Sequence, residues 1–533
     1  MQEPVKSGAV PESVENLLIF VLYLASFGLI LFNDGVFWDS WVFYNQEPEA
    51  LKTLFSELGF FLKWPAYLHN ALLPAAYGVT AERFIIFAAY LGAAYFLKGV
   101  LKQVKEMDAS GRLFVTLFFA LFPVNFGRIA LCNLHYAICY FFFFFAFYLF
   151  SLYLRSGKTA LRILALLAFF FSFSTNALLS FYAVVLAYAA YQAGEGDGAA
   201  AAVKRAAFRY ADFIAVPLVY YAAKTIFFKP YGLYAAVYPI SLKAILLSPL
   251  SSLTVLKTSF IVPLDLALKQ VGAAPLLALL SGLALFFFFD RYHRPEEKRG
   301  RDAAFFFAGV AAFYLAAFCY LAVDYLPALN DWESRHQLLL PLGSALMLCY
   351  GVRLAFAALG WGRKTESFAL AVLLGLFAQL NHTAYLDYLR DWYKQYSVME
   401  NIREIPEVRN NTAFLVEDRA RGLDARARIY RFYEYTGWLK LVFGDETRLA
   451  ADAGNPGTPA DYSRMAAYPQ YNMRGYKFQP FSHLLVLEPG SYDISGNGAL
   501  RLLYNRCNTP RRFKAKLKRA IKVTCSALPP PGR

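Results

Sequence analysis

Long apolar runs are the feature that most constrains the fold of this chain. A helix needs about 20 mostly apolar residues to cross a lipid bilayer. Of the 533 residues, 58% are hydrophobic and only 17% are charged, whereas an ordinary soluble domain has about 25% charged residues. The sequence therefore predicts a mainly α fold, a polytopic transmembrane helix bundle of about eleven spans. The predicted spans are residues 15–33, 83–101, 112–127, 134–154, 161–176, 178–193, 208–228, 272–290, 303–323, 338–358 and 366–384.

Basic residues in the short loops predict the orientation of these spans. Lys and Arg cluster at residues 98–112, 155–162, 204–209, 291–301 and 353–364. With about eleven spans, all of these clusters fall on one side, which the positive-inside rule makes cytoplasmic. The first run lacks a small-residue cleavage site, so we expect it to remain as a span. The N-terminus is then cytoplasmic, and the C-terminal region is periplasmic or extracellular.

Charge and cysteine content restrict the partners and the compartment. The formal net charge of +15 does not indicate nucleic-acid binding, because much of it lies in loops between apolar runs, where the partner is membrane lipid. The Ala-rich and Arg-rich composition favours a bacterial inner (plasma) membrane. Four of the six cysteines lie in or near apolar runs and are predicted to be packing residues. Cys507 and Cys525 lie in the polar C-terminal part and could pair in an oxidising compartment.

Two carboxylates follow the first apolar run. Asp34 and Asp39 lie in Asn-Asp-Gly-Val-Phe-Trp-Asp-Ser-Trp, residues 33–41, together with Trp38 as a candidate substrate contact. A carboxylate at a membrane face is costly unless it meets water, a partner or a substrate. Either acid is a candidate catalytic base for a hydroxyl group, and the two together are candidate ligands of a divalent cation such as Mg²⁺ or Mn²⁺. Alternatively, Asn-Asp-Gly is a turn sequence in which the Asp only caps the turn.

A second group of polar residues precedes the tenth predicted span. Glu333, Arg335 and His336 lie in Asn-Asp-Trp-Glu-Ser-Arg-His-Gln, residues 330–337. Arg suits bidentate phosphate binding, and a helix that begins near His336 would direct backbone N–H groups at an anion. We therefore predict that Arg335 and His336 bind a phosphate and that Glu333 contacts the substrate. The alternative is that Arg335 extends to lipid headgroups and Glu333 merely pairs with it.

Further candidates lie in other segments that are predicted to face the same side. Arg128 and His135 lie in the turn between the third and fourth predicted spans. Lys229 and Lys257 lie in the long segment 229–271. We predict that Arg128 and the two lysines help to bind a phosphate and that His135 contacts the substrate. A lone His in such a turn is more often a hydrogen-bonded structural residue.

Composition changes near residue 385, which predicts two domains. Residues 1–384 form the transmembrane module, and residues 385–533 form a small C-terminal extracytoplasmic α/β domain. Within this domain the sequence favours strands at residues 412–416 and 484–487 and a helix at residues 419–438. The basic end, residues 510–523, is interleaved with apolar residues; it could bind an anionic lipid surface or an acidic glycan, and more often such an end is simply solvated.

Apolar residues at helical spacing also occur outside the predicted spans. Residues 48–62 have this pattern and are predicted to form a helix on the membrane surface. Residues 242–247 and 250–256 are predicted as similar interfacial pieces. Both lie in long predicted outer loops, which favours a functional role for those loops.

In its architecture the chain resembles the membrane glycosyltransferases of the C superfamily (GT-C). This superfamily includes protein O-mannosyltransferases, aminoarabinose transferases and oligosaccharyltransferases. The resemblance rests on the many spans, on Asp34 and Asp39 in an outer loop after the first span, on the surface helix at residues 48–62 and on the C-terminal outer domain. Several members carry adjacent acids, whereas Asp34 and Asp39 are apart in this chain. Which acid is the base, and whether a metal is needed, therefore stay open.

The resemblance implies a glycosyltransferase that uses a polyprenyl-phosphate sugar or a polyprenyl-diphosphate glycan as donor. The acceptor would be a lipid-linked or cell-surface glycan, or a protein, on the outer face of the membrane. The resemblance also implies an inverting displacement in which Asp34 or Asp39 deprotonates the acceptor hydroxyl. Arg335, with His336 and a lysine, would stabilise the departing phosphate.

Three other functions are compatible with the sequence. The first is a polymerase or ligase of lipid-linked polysaccharide, for which Asp34 would be dispensable. The second is a transporter or flippase of lipid-linked glycan, which the lack of a clear repeat and the few mid-span charges disfavour. The third is a non-catalytic membrane scaffold, in which Asp34 and Asp39 would be turn residues only.

Overall fold

The protein divides into two compact units. The structure is a computed structural model, and it describes residues 11–194, 198–235, 239–271, 282–283, 285–289, 299–329 and 331–529. Unit 1 comprises Met1–Gly28, Ile85–Arg128 and His135–His382, and unit 2 comprises Leu29–Phe84, Ile129–Leu134 and Thr383–Arg533. The last segment of unit 2 begins close to the predicted domain boundary at residue 385. Unit 2 also includes the loop that follows the first apolar run.

Helices account for most of the described chain. In chain order they are α1 (Glu12–Phe27), α2 (Pro48–Glu57), α3 (Trp64–Leu72), α4 (Gly78–Leu101), α5 (Ala109–Leu121), α6 (Leu134–Ser156), α7 (Thr159–Ser172), α8 (Ala177–Phe181), α9 (Ala183–Ala193), α10 (Ala199–Arg209), α11 (Ala211–Phe227), α12 (Leu242–Leu256), α13 (Val262–Val271), α14 (Arg299–Leu321), α15 (Leu340–Ala358), α16 (Arg363–Ile402), α17 (Pro406–Asn410), α18 (Phe432–Phe443), α19 (Pro459–Met465), α20 (Asn497–Asn508) and α21 (Pro510–Lys518). Local sequence sets several ends. The Asp108 side chain caps α5 by accepting from the Gly111 N–H at 2.6 Å.

Seven helical segments in the described part of the chain are long and apolar enough to cross a membrane, so the multi-pass helical fold class is confirmed. The segments are Glu12–Phe32, Gly78–Leu101, Leu131–Ser156, Leu242–Gln270, Gly300–Leu321, Leu340–Ala358 and Arg363–Ile402. The predicted number of about eleven spans is not confirmed. Three predicted spans correspond to the shorter apolar helices Ala109–Leu121, Thr159–Ser172 and Ala177–Ala193. A fourth, at 208–228, corresponds to the 17-residue α11, and the predicted span 272–290 lies mostly outside the described residues.

The segment from 242 to 270 differs most from its prediction. It forms one helical run of 29 residues, in which a π-type turn, Lys257–Ile261, joins α12 to α13. A helix of this length is long enough to cross a bilayer. The sequence predicts two short interfacial pieces here, residues 242–247 and 250–256, and not a span. A proline is tolerated inside such a helix when neighbouring groups satisfy the freed backbone, and Pro249 lies inside α12.

The part of the apolar stripe that lies in α2 is buried within unit 2, whereas Leu62 at its end is exposed. The predicted helix is present as α2, but Leu51, Leu54 and Phe55 are at most 3% exposed. The Phe55 ring stacks on the His69 ring of α3 with the centroids 5.7 Å apart. An apolar stripe indicates only that a face leaves water, so it does not distinguish lipid from a protein partner.

Unit 2 contains one four-stranded sheet in its described residues. The strands are β1 (Ala413–Asp418), β2 (Leu449–Asp452), β3 (His483–Pro489) and β4 (Ile521–Ala527), in the order β2-β1-β3-β4. β1 is parallel to both β2 and β3, whereas β4 is antiparallel to β3. The predicted strands at 412–416 and 484–487 are confirmed as β1 and β3. A hydrophobic core of six buried side chains packs at the β1–β2 side, formed by Ala413, Leu449, Ala451, Tyr462, Met473 and Tyr476.

One prediction for the C-terminal part is wrong. The predicted helix 419–438 exists only from Phe432 onwards, because the preceding stretch takes irregular turns in which Arg426 has a φ of 54°. Side chains of that stretch bind buried partners, and such tertiary contacts override helix propensity. The basic end, residues 510–523, forms α21 and the first residues of β4. Phe513, Leu517 and Ile521 are at most 6% exposed, and the Ile521 N–H donates to the Ser397 hydroxyl at 3.0 Å.

Candidate functional site

A buried arginine holds the backbone of the loop that carries Asp34. Arg83, at the start of α4, is 0% exposed. Its Nη1 donates to the Asn33 carbonyl and its Nη2 to the Gly35 carbonyl, while its Nε donates to the Ile129 carbonyl at 3.3 Å. The Asn33 side chain accepts from the Gly35 N–H at 2.8 Å and closes an Asx turn. Arg83 therefore fixes the backbone on both sides of Asp34.

The Asp34 carboxylate is held on both oxygens. Nη1 and Nη2 of Arg506, in α20, donate to Oδ1 and Oδ2 of Asp34, both at 2.7 Å. The Trp392 indole N–H, in α16, donates to Oδ1 at 2.8 Å. The Asp34 side chain remains 32% exposed. A bidentate guanidinium pair of this kind fixes both the charge and the plane of a carboxylate.

Electrostatics keeps Arg506 charged. Burial lowers the pKa of Arg506, but the Asp34 carboxylate outweighs this effect, so its pKa lies above the ordinary value.

The close packing of Gly35 against Trp392 adds a steric restraint. A Cβ at Gly35 would lie 2.7 Å from Cγ of Trp392, so only glycine allows the indole to approach this loop.

Asp39 has a separate partner within unit 2. The Tyr433 hydroxyl, in α18, donates to Oδ1 of Asp39 at 2.6 Å. Burial raises the pKa of Tyr433 well above its usual range, and the neighbouring Asp39 charge raises it further. The phenol therefore stays a proton donor to Asp39. Asp39 is half-buried, and its hydrogen bond sets it apart from Asp34, which is bound by a cation.

Trp38 is a packing residue in this structure. It is 2% exposed, and its ring lies edge-on to Tyr388 with the centroids 5.5 Å apart. Its backbone is in the left-handed region, with a φ of 48°, which is uncommon for a bulky residue. The Trp38 N–H donates to Oε2 of Glu434 at 3.1 Å. Tertiary contacts thus hold this strained residue between the two acids.

A buried charge network supports the same loop. Arg428 donates through Nε to Oδ2 of Asp391 at 2.7 Å and through Nη1 to Oε2 of Glu434 at 2.7 Å, and all three side chains are 0% exposed. Burial opposes the charge of Arg428, but the two carboxylates hold its pKa well above the ordinary value. The Arg428 guanidinium also lies over the Trp38 and Phe37 rings, 5.4 Å from each centroid. The loop with Asp34 and Asp39 therefore packs against a buried network of one guanidinium and two carboxyl groups.

Unit 1 brings together three of the segments predicted to bind phosphate. The Ser334 hydroxyl accepts from the Gly127 N–H at 3.0 Å, which joins the turn Phe126–Ile129 to the turn Asp331–Gln337. The Ser259 hydroxyl donates to Oε1 of Gln337 at 3.2 Å, which joins the π-type turn Lys257–Ile261 to the same place. Arg128, Lys257, Arg335 and His336 are carried by these three segments.

The residues of the turn Asp331–Gln337 interact closely with one another. The His336 Nδ1 lies 2.9 Å from Oε2 of Glu333, and burial lowers the pKa of His336 although Glu333 opposes this shift. Arg335 is half-buried; its Nη1 donates to the Trp332 carbonyl at 2.9 Å, and its guanidinium lies 4.3 Å from the Trp332 ring centroid. The turn therefore presents a cation beside a His and its carboxylate.

The remaining predicted residues differ in exposure. Arg128 is 5% exposed, and its guanidinium lies between the Phe27 and Tyr90 rings, 4.2 and 4.5 Å from their centroids. His135 is 3% exposed. Lys229 and Lys257 are exposed, but the structure connects only the Lys257 segment to the turn Asp331–Gln337.

The two acids do not fit a divalent cation in this arrangement. Both Asp34 oxygens accept hydrogen bonds from the Arg506 guanidinium, whose charge opposes a bound metal. Asp39 accepts from a phenol that burial keeps protonated. Within the described residues there is also no group of three or more His, Cys, Asp or Glu side chains that could hold a metal ion.

Four residues of this site have no local sequence signal. Arg506 and Trp392 lie 472 and 358 positions from Asp34 along the chain, and Tyr433 lies 394 positions from Asp39. In the sequence, Arg83 is simply a charged residue at the start of an apolar run, with nothing to indicate its partners. A pattern within one segment cannot indicate partners that only tertiary folding brings together.

These features define a class: a multi-pass helical membrane protein with a small sheet-containing C-terminal region and an arginine-bound carboxylate directly after its first apolar helix. No protein-family model matches the chain, and no curated protein matches it. Among solved structures, it is similar to the Archaeoglobus fulgidus oligosaccharyltransferase in complex with Zn and sulfate. The identity is 12%, and the match covers 89% of this chain and 67% of that chain, with a TM-score of 0.36. A TM-score at this level does not establish a common fold.

Proposed function

We propose that this protein is an integral membrane glycosyltransferase of GT-C type. It transfers a sugar from a polyprenyl-phosphate donor to a lipid-linked or cell-surface glycan, or to a protein, on the outer face of a bacterial inner membrane. The observation that supports this proposal best is the Asp34 carboxylate. It follows the first apolar helix, it is one third exposed, and Arg506 and Trp392 hold it in one orientation.

Asp34 is the catalytic base in this proposal. Among the described residues, Oδ2 of Asp34 accepts one hydrogen bond, from Arg506, and a carboxylate oxygen has a second lone pair. That lone pair takes the proton of the acceptor hydroxyl. The acceptor oxygen then forms a bond to the anomeric carbon of the donor, whose bond to the phosphate oxygen breaks with inversion. The electron pair leaves with the phosphate, and the products are the extended acceptor and a polyprenyl phosphate.

Arg506 is a positioning residue in this reaction. A bidentate ion pair fixes the carboxylate plane and lowers the entropy that the base loses as the acceptor binds. Asp39, Tyr433 and Trp38 hold the outer part of the same loop, so we assign them to shaping the acceptor-binding surface.

Donor binding is assigned to the three hydrogen-bonded segments of unit 1. Arg335 and Lys257 are the cations that bind the donor phosphate, and His336, which burial keeps neutral, donates or accepts a hydrogen bond there. Arg128, which is buried in the turn Phe126–Ile129, adds positive charge to the same region. Fixed cations of this kind stabilise the charge that develops on a leaving phosphate. No step of the proposal passes through a metal ion.

The remaining predicted residues take secondary parts in the proposal. Glu333 and His135 contact the substrate or position the residues that do, and Glu333 already holds His336 at 2.9 Å. Lys229, in the segment that precedes α12, is assigned to phosphate binding as well.

The test is surface-glycan analysis by mass spectrometry in a host that lacks the gene. The host is complemented with the native protein or with Asp34→Asn, Asp39→Asn or Asp461→Asn at matched membrane levels. Asp461 is the control, because it is an exposed capping residue of α19 with its own Thr458 partner. We expect Asp34→Asn to remove one sugar from the glycan, since loss of a general base lowers turnover by about 100-fold or more.

A second arm separates catalysis from folding. Arg506→Gln keeps the Asp34 carboxylate but removes its orientation, so we expect reduced transfer with a changed pH dependence of turnover. If Asp34→Asn restores the complete glycan at matched levels, Asp34 is not the base. If Asp461→Asn loses the sugar as Asp34→Asn does, the loss is not specific to Asp34 and gives no support to Asp34 as the base.

A further inference from the structure

A cavity lies on the surface of α20 and α21, away from the loop that carries Asp34 in sequence. Its volume is about 460 Å³, and it is open to solvent, so it is a shallow groove on the surface. Six residues line it: Asn497, Leu500, Arg501, Tyr504, Asn505 and Lys516. Five of these lie in α20 at helical spacing, and one side of that helix therefore forms most of the cavity.

The residues that line the cavity include cations, amides and an aromatic ring, and no acid. Arg501 and Lys516 provide two cations, and no lining residue is a carboxylate. Tyr504 is 68% exposed, so its ring face is accessible to a ligand. Asn497 provides an amide that both donates and accepts hydrogen bonds. Cations, an amide and an exposed ring together suit a ligand with hydroxyl groups, a C–H face and a negative charge.

The internal contacts of the cavity hold its walls in place. The Asn505 Nδ2 donates to the Arg501 carbonyl at 2.6 Å, and its Oδ1 accepts from the Thr509 hydroxyl at 3.1 Å. The Lys516 ammonium lies 5.4 Å from the Tyr492 ring centroid. Leu517, next to Lys516, is 0% exposed and anchors α21. The side chains that face the cavity thus project from a packed pair of helices.

The helix that forms the cavity also carries Arg506, the residue that binds Asp34. Arg506 directly follows Asn505 of the lining. Arg501 and Arg506 are five residues apart, about 7.5 Å along the helix axis. A ligand in the cavity is therefore bound to the same rigid element that positions the candidate base.

We propose that this cavity binds an acidic saccharide, a sugar chain with a carboxylate or a phosphate group. Arg501 and Lys516 bind the acidic group, Tyr504 stacks on the sugar ring, and Asn497 binds hydroxyl groups. This inference rests on the proposed function in one respect: it identifies the saccharide as part of the acceptor glycan. The binding itself requires no turnover.

The chain offers a matched control on the same helices. Arg511 and Lys514 of α21 are exposed cations that do not line the cavity. The double variant Arg511→Gln/Lys514→Gln removes the same charge as Arg501→Gln/Lys516→Gln. A comparison of the two separates a specific site from the general attraction of a basic surface, which falls with ionic strength.

The experiment measures binding by calorimetry to the full-length protein in nanodiscs of zwitterionic lipid. The probes are trigalacturonate and the neutral trisaccharide galactotriose. We expect trigalacturonate to bind and Arg501→Gln/Lys516→Gln to weaken it by about tenfold or more, as for the loss of charge-assisted hydrogen bonds. Tyr504→Ala is expected to weaken it as well, and the Arg511/Lys514 control to stay within about twofold of the native protein.

Three results overturn the inference: equal binding of the neutral trisaccharide, equal weakening by the control variant, or no binding of either probe. Vesicles containing anionic lipid are a further arm of the experiment. If Arg501 and Lys516 are needed for vesicle binding and not for trigalacturonate binding, the site is a lipid site and the inference fails.

Asp34→Asn separates this inference from the proposed function. Native binding by Asp34→Asn together with full transfer activity would refute the base assignment and leave the saccharide site standing.

Discussion

Removing the buried guanidinium of Arg428 tests how the candidate site is supported. Arg428 makes three hydrogen bonds to Asp391 and Glu434, at 2.7, 3.2 and 2.7 Å, and all three side chains are 0% exposed. Arg428→Gln leaves two buried carboxylates without their cation. Breaking one partner of a buried ion pair costs about 3–5 kcal/mol. We expect a loss of this size in the free energy of unfolding near pH 8.

The same reasoning fixes the pH dependence of this loss. Burial already raises the pKa of Glu434 above its ordinary value, although Arg428 opposes the shift. Without Arg428 the pKa rises further, so the carboxyl group takes up a proton as the pH falls. A raised folded-state pKa gives stability at low pH that is lost as the pH rises through that pKa. The deficit of Arg428→Gln is therefore expected to be largest at pH 8 and to shrink toward pH 5.

The assay is equilibrium denaturation of the purified protein in detergent micelles, followed by tryptophan fluorescence because Trp38 and Trp438 lie beside the network. The control is Arg419→Gln. Arg419 is 54% exposed and pairs with Glu417 and Glu488 on the surface, so its loss is expected to change stability little. Equal losses for the two variants, or a deficit at pH 8 that does not shrink at pH 5, would refute the argument.

Three further predictions follow from single residues. Gly35→Ala is expected to destabilise the folded protein by about 1–3 kcal/mol, because the new Cβ would lie 2.7 Å from Trp392 and force the indole away from Asp34. Burial raises the pKa of Asp424 from 3.8 to about 7, so its contribution to stability is lost as the pH rises through about 7; the native protein should lose stability between pH 5 and pH 8 relative to Asp424→Asn. Cys507 is exposed, so a membrane-impermeant maleimide should label it in intact cells if the C-terminal region lies outside.

Each of these predictions has a control in the same chain. Gly422→Ala adds a Cβ that meets nothing within 4 Å and should leave stability nearly unchanged; a loss equal to that of Gly35→Ala would contradict the steric argument. Parallel pH profiles for native protein and Asp424→Asn would show that Asp424 does not titrate in this range. Labelling of Cys507 only after the membrane is permeabilised would place the C-terminal region inside, and buried Cys349 serves as the unlabelled reference.

The sequence by itself determined the helical membrane class and several local elements. Apolar runs of sufficient length predict spans because a bilayer excludes unpaired backbone groups, and six of the seven candidate spans agree with predicted ones. β1 and β3 were predicted from short apolar runs, and α2 from its stripe of apolar residues. These features are local, because each depends on the spacing of residues within one segment.

Only the tertiary structure decided what those segments contact. The stripe of α2 packs inside unit 2, and the helix predicted at 419–438 begins at Phe432 because Asp424 and Arg428 bind buried partners instead. Asp34 was identified from its position after an apolar run, but its partner Arg506 lies 472 residues away. An ion pair between such distant residues has no periodicity and no motif, since its geometry exists only after the chain has folded.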